Sequence, residues 1–272
     1  MRAEALFDVR GLATVVTGGA SGIGLACATV MAANGARVTL LDKNAKALDE
    51  AVSRLVRQDS DVRGQVVDVT DRFALDRAID ETAKAYGRLD VVFANAGIGG
   101  GPGFLTLDRQ RRAEGALEDI SDERWDAGIA NHLSSVFWTI QAAVRHMKAQ
   151  GSGRIIVTTS IAALKTEAVV GAPYMAAKAG AAHLVRQAAL ELARYGILVN
   201  AIAPGPVLTN ISGGRMHDEA VRAHHERVTP LKRMAAPEEL MGLALFLASP
   251  AARYVTGAQM VIDGGATLGF AD

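Results

Sequence analysis

The stretch Thr17-Gly-Gly-Ala-Ser-Gly-Ile-Gly24 decides the fold. A short apolar run, Leu12-Ala-Thr-Val-Val16, precedes it, and a helical pattern from Gly22 to about Asn34 follows. Strand, glycine-rich turn and helix in that order make a phosphate-binding element. The first helical turn has unpaired backbone N–H groups and a positive dipole end, and both favour a pyrophosphate. Glycine lets the backbone turn tightly and approach a ligand with no Cβ in the way. The dinucleotide fingerprint in general use is G-x-G-x-x-G. Here the spacing is Gly18-x-x-x-Gly22-x-Gly24, so the turn alone leaves a merely structural loop open.

Outward from this turn, strand and helix patterns alternate to the end of the chain. Arg37–Leu41, Val62–Val67, Leu89–Ala94, Arg154–Thr158, Leu198–Ile202 and Gln259–Asp263 read as further strands, short and rich in β-branched residues. Between them run helical patterns over 45–57, 71–86, 121–150, 173–195 and 237–248, with Thr70 or Asp71 capping the second of these. Short apolar strands are what helices on both faces of a parallel sheet require. The pattern predicts α/β architecture: one domain over residues 1–272, a doubly wound parallel sheet of seven strands. Two segments interrupt the rhythm, 99–120 and 204–230. Both follow strand ends, where ligands bind in this architecture, so the first reads as an insertion near a substrate site and the second as a lid.

Composition sets bounds. The chain has 272 residues, half of them hydrophobic, and a formal net charge of zero. Balanced charge, with no basic stripe and interleaved aromatics, argues against a nucleic-acid partner. No apolar run reaches the length of a membrane span. The N-terminal residues carry charges where a secretory signal needs an apolar core, and the single Cys27 permits no intrachain disulfide. A cytoplasmic protein without a membrane partner is expected. Cys27 reads as a small buried hydrophobe. His217, His224 and His225 lack the spacing of a metal site, and no metal is expected.

Asp42 ends the second strand, about twenty residues past the glycine turn, where an acidic side chain meets the adenosine ribose of NAD and repels the extra phosphate of NADP. NAD is the expected cofactor. Asp68 and Val69 close the third strand and either flank the adenine or, for Asp68, cap the next helix. Asn95-Ala96-Gly97 ends the fourth strand with small, turn-forming residues that let a cofactor pass close to the backbone. Tyr174-Met-Ala-Ala-Lys178 places a phenol and an ammonium on one helix face. An ammonium beside a phenol favours the phenolate, so the pair can move an alcohol proton during hydride transfer. Ser160, at the end of the fifth strand, can hydrogen-bond the substrate oxygen.

Together these motifs resemble the short-chain dehydrogenase/reductase family over nearly the whole chain, from Leu12 to Gly265. Thr17-Gly-x-x-x-Gly-Ile-Gly24 is similar to its cofactor turn, Asn95-Ala-Gly97 to its fourth-strand motif and Tyr174-x-x-x-Lys178 to its catalytic pair. The resemblance implies a Rossmann fold. It also implies a cofactor site of Gly18, Ser21, Gly22, Ile23, Gly24, Asp42, Asp68, Val69, Asn95, Ala96, Gly97, Tyr174 and Lys178, with Pro204, Gly205, Val207 and Thr209 at the nicotinamide end. Ser160, Tyr174 and Lys178 become the catalytic residues of an NAD-dependent oxidoreductase that interconverts a secondary alcohol and its ketone. A sugar, polyol or hydroxy acid would each fit as substrate. The family commonly has an asparagine in the long helix before the fifth strand. Here that position falls on His132, with Asn131 one residue earlier, and either completes the proton relay, Asn131 only if the helix kinks.

Two alternatives keep the fold but change the function. One is a dinucleotide-sensing protein without catalysis. The other is an enoyl-type reductase, a branch in which the tyrosine and lysine stand further apart than four residues. The resemblance also implies a homotetramer joined through the helices at 121–150 and 173–195 and the segment near Val255 to Leu268. Arg109, Arg111 and Arg112 form a basic run that is either a solvated face or a clamp for an anionic substrate. Lys165 and Glu167 are further candidates for substrate contact.

Overall fold

A computed structural model describes residues 2–269. Seven strands form one parallel sheet in the order β3-β2-β1-β4-β5-β6-β7. They are β1 (Ala13–Thr17), β2 (Arg37–Asp42), β3 (Val62–Val66), β4 (Val91–Ala94), β5 (Gly153–Thr158), β6 (Ile197–Pro204) and β7 (Gln259–Ile262). All five residues of β1 are buried, as a central strand covered on both faces requires. The helices are α1 (Ala3–Leu6), α2 (Gly22–Ala33), α3 (Ala45–Val56), α4 (Arg72–Tyr86), α5 (Asp122–Ile129), α6 (Ser135–Gln150), α7 (Ala172–Leu192), α8 (Glu219–Val228) and α9 (Met241–Ala248). One core packs α4, α6 and α7 on the sheet through Leu75, Ile79, Ile140 and Val185. The other packs α2, α3 and α9 on the opposite face through Met31, Leu48, Leu55 and Leu247. Cys27 lies in this second core, where burial pushes its thiol up to about 12.

The strand order reverses between β1 and β4. The loops leaving their carboxyl ends part there and open a crevice. The sheet and its seven strands match the sequence expectation; three local features differ. Asp71, not Thr70 or Asp68, caps α4, its carboxylate accepting from the Phe73 and Ala74 amides. The predicted helix over 121–150 is not uniform, because a π-helical segment, Ala130–Ser134, separates α5 from α6. The lid segment contains a ten-residue helix, α8, started by Asp218 capping the Val221 amide. Its polar sequence masks it: only Val221 is buried, so no apolar stripe announces the helix.

Candidate active site

The glycine turn works through steric exclusion at one end and open space at the other. A Cβ on Gly24 would stand 2.1 Å from the Gly18 carbonyl oxygen, so only glycine lets α2 approach β1 this closely. Gly22 has φ +52° and faces the cleft, where a side chain would be strained and would meet Thr209. Gly18, Ser21, Gly22 and Ile23 line the cleft. Gly24 does not; it packs behind the turn, which corrects its expected place among the cofactor contacts.

A chain of hydrogen bonds ties the crevice together. The Thr17 hydroxyl accepts from the Asn95 and Ala96 amides at 3.0 and 3.1 Å. The Asn95 amide nitrogen donates to the Thr17 carbonyl at 3.1 Å, and its oxygen accepts from the Thr158 hydroxyl at 2.9 Å. Lys178 Nζ donates to the Thr158 carbonyl at 2.7 Å. Residues from β1, β4, β5 and α7 are thereby set in one frame. Thr158 was missed in the sequence, because a threonine ending a strand carries no signal of a partner 63 residues away.

At the adenosine end, the two Asp42 carboxylate oxygens accept from the Ala20 and Asn44 amides at 3.1 and 3.0 Å, fixing the group at the cleft edge. Asp68 accepts from the Thr70 amide and hydroxyl, and these bonds hold its carboxyl below the ordinary range. Asp42, Asp68, Val69, Asn95, Ala96, Gly97, Pro204, Gly205, Val207 and Thr209 all line the same cleft, about 850 Å³ in volume.

At the other end the cleft gathers Asn131, His132, Ser160, Tyr174 and Lys178. Ser160 ends the loop from β5, and its oxygen accepts from the Ala162 amide at 3.1 Å, leaving the hydroxyl proton available. Lys178 is buried and its Nζ stands 5.7 Å from the centre of the Tyr174 ring. Burial pushes the ammonium down to about 8. The expected lowering of the Tyr174 phenol is not met in this structure. Burial raises it, and the Glu167 charge adds to the rise, against a lowering by the Ser160 hydroxyl. Desolvation outweighs the more distant lysine.

His132 is the sharpest anomaly. It is 1% exposed, its ring meets Tyr174 edge-on at 4.8 Å, and neither ring nitrogen has a hydrogen-bond partner among the described residues. Burial first, and the Lys178 charge second, push it down to about 3, so the imidazole is neutral at physiological pH. The π segment brings Asn131 to the cleft as well, but its amide is tied to the Ala127 carbonyl at 2.9 Å.

A family model described as Enoyl-(Acyl carrier protein) reductase matches residues 18–267. The chain is 40% identical to cis-4-hydroxycyclohexanecarboxylate dehydrogenase of Sinomonas cyclohexanicum, over 93% of this chain and 95% of the relative. It is 36% identical to galactitol 2-dehydrogenase (L-tagatose-forming) of Cereibacter sphaeroides, over 97% and 98% of the two chains. A solved gluconate 5-dehydrogenase from Burkholderia cenocepacia J2315, in complex with NADP and tartrate, superposes with a TM-score of 0.86 at 32% identity, covering 98% and 99%. The chain belongs to the short-chain dehydrogenase/reductase family. As a member of that family it is a dinucleotide-dependent alcohol oxidoreductase.

What distinguishes this short-chain dehydrogenase lies in its walls. Gly99–Pro102 and Leu107 of the insertion line the cleft, but Arg109, Arg111 and Arg112 do not. Arg111 stacks over Phe104 at 5.9 Å, and Arg109 is exposed with φ +64°. The arginine run is a solvated face, because the insertion folds back through Thr106–Gln110 and Phe104–Arg112 hydrogen bonds and turns it outward. From the lid, Arg215, Met216, Val221 and His225 reach the cleft. His225 was discounted in the sequence because the helix that aims it was hidden. Glu167 lines the cleft and Lys165 does not. No group of three or more metal-binding side chains occurs among the described residues, and no helix there is long and apolar enough to cross a membrane.

Proposed function

We propose that this chain is an NAD-dependent dehydrogenase of secondary alcohols, acting in reverse as a ketone reductase. The observation that carries the reading is the convergence of Ser160, Tyr174 and Lys178 at one end of a cleft whose other end presents the pinned carboxylate of Asp42. Family membership leaves the cofactor open, since a solved relative contains NADP. Asp42 supports NAD: a fixed carboxylate suits ribose hydroxyls and repels a 2′-phosphate.

The residues present fit such a cofactor. Lys178 is a buried ammonium using one donor, so two remain for a ligand's ribose. Gly18, Ser21, Gly22 and Ile23 would hold the pyrophosphate, Asp42 the adenosine ribose, and Asp68 and Val69 the adenine. Asn95, Ala96, Gly97, Pro204, Gly205, Val207 and Thr209 would flank the nicotinamide end. A bound nicotinamide supplies the hydride acceptor for oxidation and the donor for reduction.

The protein's own groups manage the proton. Ser160 donates its free hydroxyl proton to the substrate oxygen and fixes its position. Tyr174 takes the alcohol proton during oxidation and returns it to the ketone during reduction. Its raised pKa keeps the phenol protonated at neutral pH, so reduction is favoured there and oxidation accelerates as pH rises. Lys178 stabilises the phenolate once it forms. His132 relays the proton: a neutral imidazole accepts on one nitrogen and donates from the other, and both of its nitrogens are uncommitted. The four-residue spacing of Tyr174 and Lys178 supports an alcohol substrate over a carbon–carbon double bond.

The test is formation of reduced nicotinamide from NAD and NADP in parallel, across neutral polyols, sugars, hydroxy acids and cyclic alcohols. Turnover with NAD that drops at least about a thousandfold in Tyr174→Phe, while NADH still binds, is the expected result. Absence of turnover on the whole panel despite tight NADH binding would favour a sensor. We further propose a homotetramer, supported by exposed apolar side chains on the expected contact elements: Trp125, Phe137, Leu190, Tyr254 and Leu268. Light scattering at micromolar concentration checks it, and a monomeric mass overturns it.

A further inference from the structure

Glu167 presents a carboxylate with one oxygen engaged and the other uncommitted beside the reacting groups. It lies in the loop between β5 and α7 and lines the cleft with Val169, Val170 and Tyr174. Its side chain is 21% exposed. Lys165 Nζ stands 3.2 Å from Glu167 Oε1 and also donates to the Ala266 carbonyl at 2.8 Å. The lysine is thus moored to the segment after β7, outside the cleft, and holds the carboxylate from behind. Oε2 has no hydrogen-bond partner among the described residues. The Glu167 charge is felt at the Tyr174 phenol, which places it within electrostatic reach of the oxygen that reacts. Around it the walls are apolar, formed by Ile98, Pro102, Leu107, Val169, Val170 and Met216.

This arrangement has a chemical consequence. A half-buried carboxylate oxygen among apolar walls is left unpaired by a substrate that brings no donor, and leaving it so is costly. A substrate hydroxyl supplies that donor. A substrate carboxylate at the same place meets like charge.

We infer that Glu167 is a specificity-determining residue, whose uncommitted oxygen accepts a hydrogen bond from a second hydroxyl of the substrate on a carbon adjacent to the reacting carbinol. The substrate class is therefore the vicinal diols and polyols, open-chain or cyclic, rather than lone secondary alcohols or acids bearing a carboxylate next to the carbinol. The inference rests on the dehydrogenase reading above and adds the class of alcohol to it. A site built to pair a substrate hydroxyl rejects the analogue lacking it. For a partly exposed acceptor the expected discrimination is about 10- to 100-fold, carried mainly by KM.

The experiment compares kcat/KM with NAD for cis-1,2-cyclohexanediol against cyclohexanol, and for 2,3-butanediol against 2-butanol. The enzymes are wild type, Glu167→Met, which removes the acceptor, and Glu167→Gln, which keeps a carbonyl acceptor. Thermal melts confirm that each is folded. The expected result is a diol-to-monool ratio of about 10 to 100 in wild type that falls toward one in Glu167→Met and recovers in part in Glu167→Gln. A wild-type ratio near one, or a ratio that survives Glu167→Met, overturns the inference and leaves the dehydrogenase reading standing. If Glu167→Met does not fold, a ratio in Glu167→Gln equal to that of an enzyme with no diol preference overturns it equally. Turnover of none of the four alcohols overturns the dehydrogenase reading and this inference with it.

Discussion

The two ends of the cleft are built on different principles. The cofactor end is made of strand termini and the glycine turn, and its polar groups are spent on one another: Thr17 with Asn95, Asn95 with Thr158, Thr158 with Lys178, and Asp42 with two backbone amides. The substrate end is walled by the 99–120 insertion and the 204–230 lid, where hydrogen bonds close short local turns and the charged side chains mostly face outward. A frame whose polar groups are mutually satisfied tolerates little change, whereas local loops on it can be exchanged. The difference teaches that dinucleotide binding and alcohol choice can vary independently on this sheet.

The hardest blow to that contrast is a single methyl-sized intrusion at the rigid end. Gly24→Val puts a side chain where even a Cβ stands 2.1 Å from the Gly18 oxygen. NADH affinity should fall at least about 100-fold, with lowered thermal stability, because β1 and α2 must separate. Retained affinity by fluorescence titration would mean that the turn is less rigid than its packing implies.

Next in size is the acid response of His132. Its folded pKa of about 3 lies below the ordinary 6.5, so the unfolded chain takes up a proton that the folded chain refuses. Stability is unaffected by this group above pH 6.5 and is lost as pH falls from 6.5 toward 3, by up to roughly 5 kcal/mol. His132→Asn removes that dependence, so its acid-denaturation midpoint should move to lower pH. An unchanged midpoint would show that the ring escapes its buried site before it titrates.

A smaller change is expected at the adenosine edge. Asp42→Asn should shift the preference for NAD over NADP by about tenfold toward NADP, read as the ratio of kcat/KM values. No shift would mean that Asp42 serves only to brace the glycine turn. Smallest of all is Arg111→Ala in the insertion. The side chain lies over Phe104 on the outer face, so activity toward anionic and neutral alcohols should change less than about twofold. A large selective loss on anions would bring the insertion into the site and erase the contrast between the ends.

Much of the site was legible because its residues sit in short, periodic contexts. The glycine turn lies between one strand and one helix, Tyr174 and Lys178 share a helix face by their spacing, and Asp42 and Asn95 terminate predictable strands. Gly24 was assigned to the cofactor because the motif does not distinguish a glycine that faces the ligand from one that lets helix and strand meet. The lid helix stayed hidden because a helix held mainly by its cap and one buried valine has almost no hydrophobic period. The arginine run was left open because a loop's outward or inward face depends on hydrogen bonds that no spacing announces.

The sequence by itself determined the alternation of strands and helices, the place of the crevice and the identity of the pair that moves the proton. These follow from local propensity and from chemistry confined to a few neighbouring residues. Only the tertiary structure decided the balance of charges around that pair. It showed the Tyr174 phenol raised by burial, His132 neutral and unpartnered against the tyrosine, and Glu167 moored by a lysine that is itself tied to residue 266. Burial and the electrostatic field sum over groups far apart in the chain, and that sum exists only once the chain is folded.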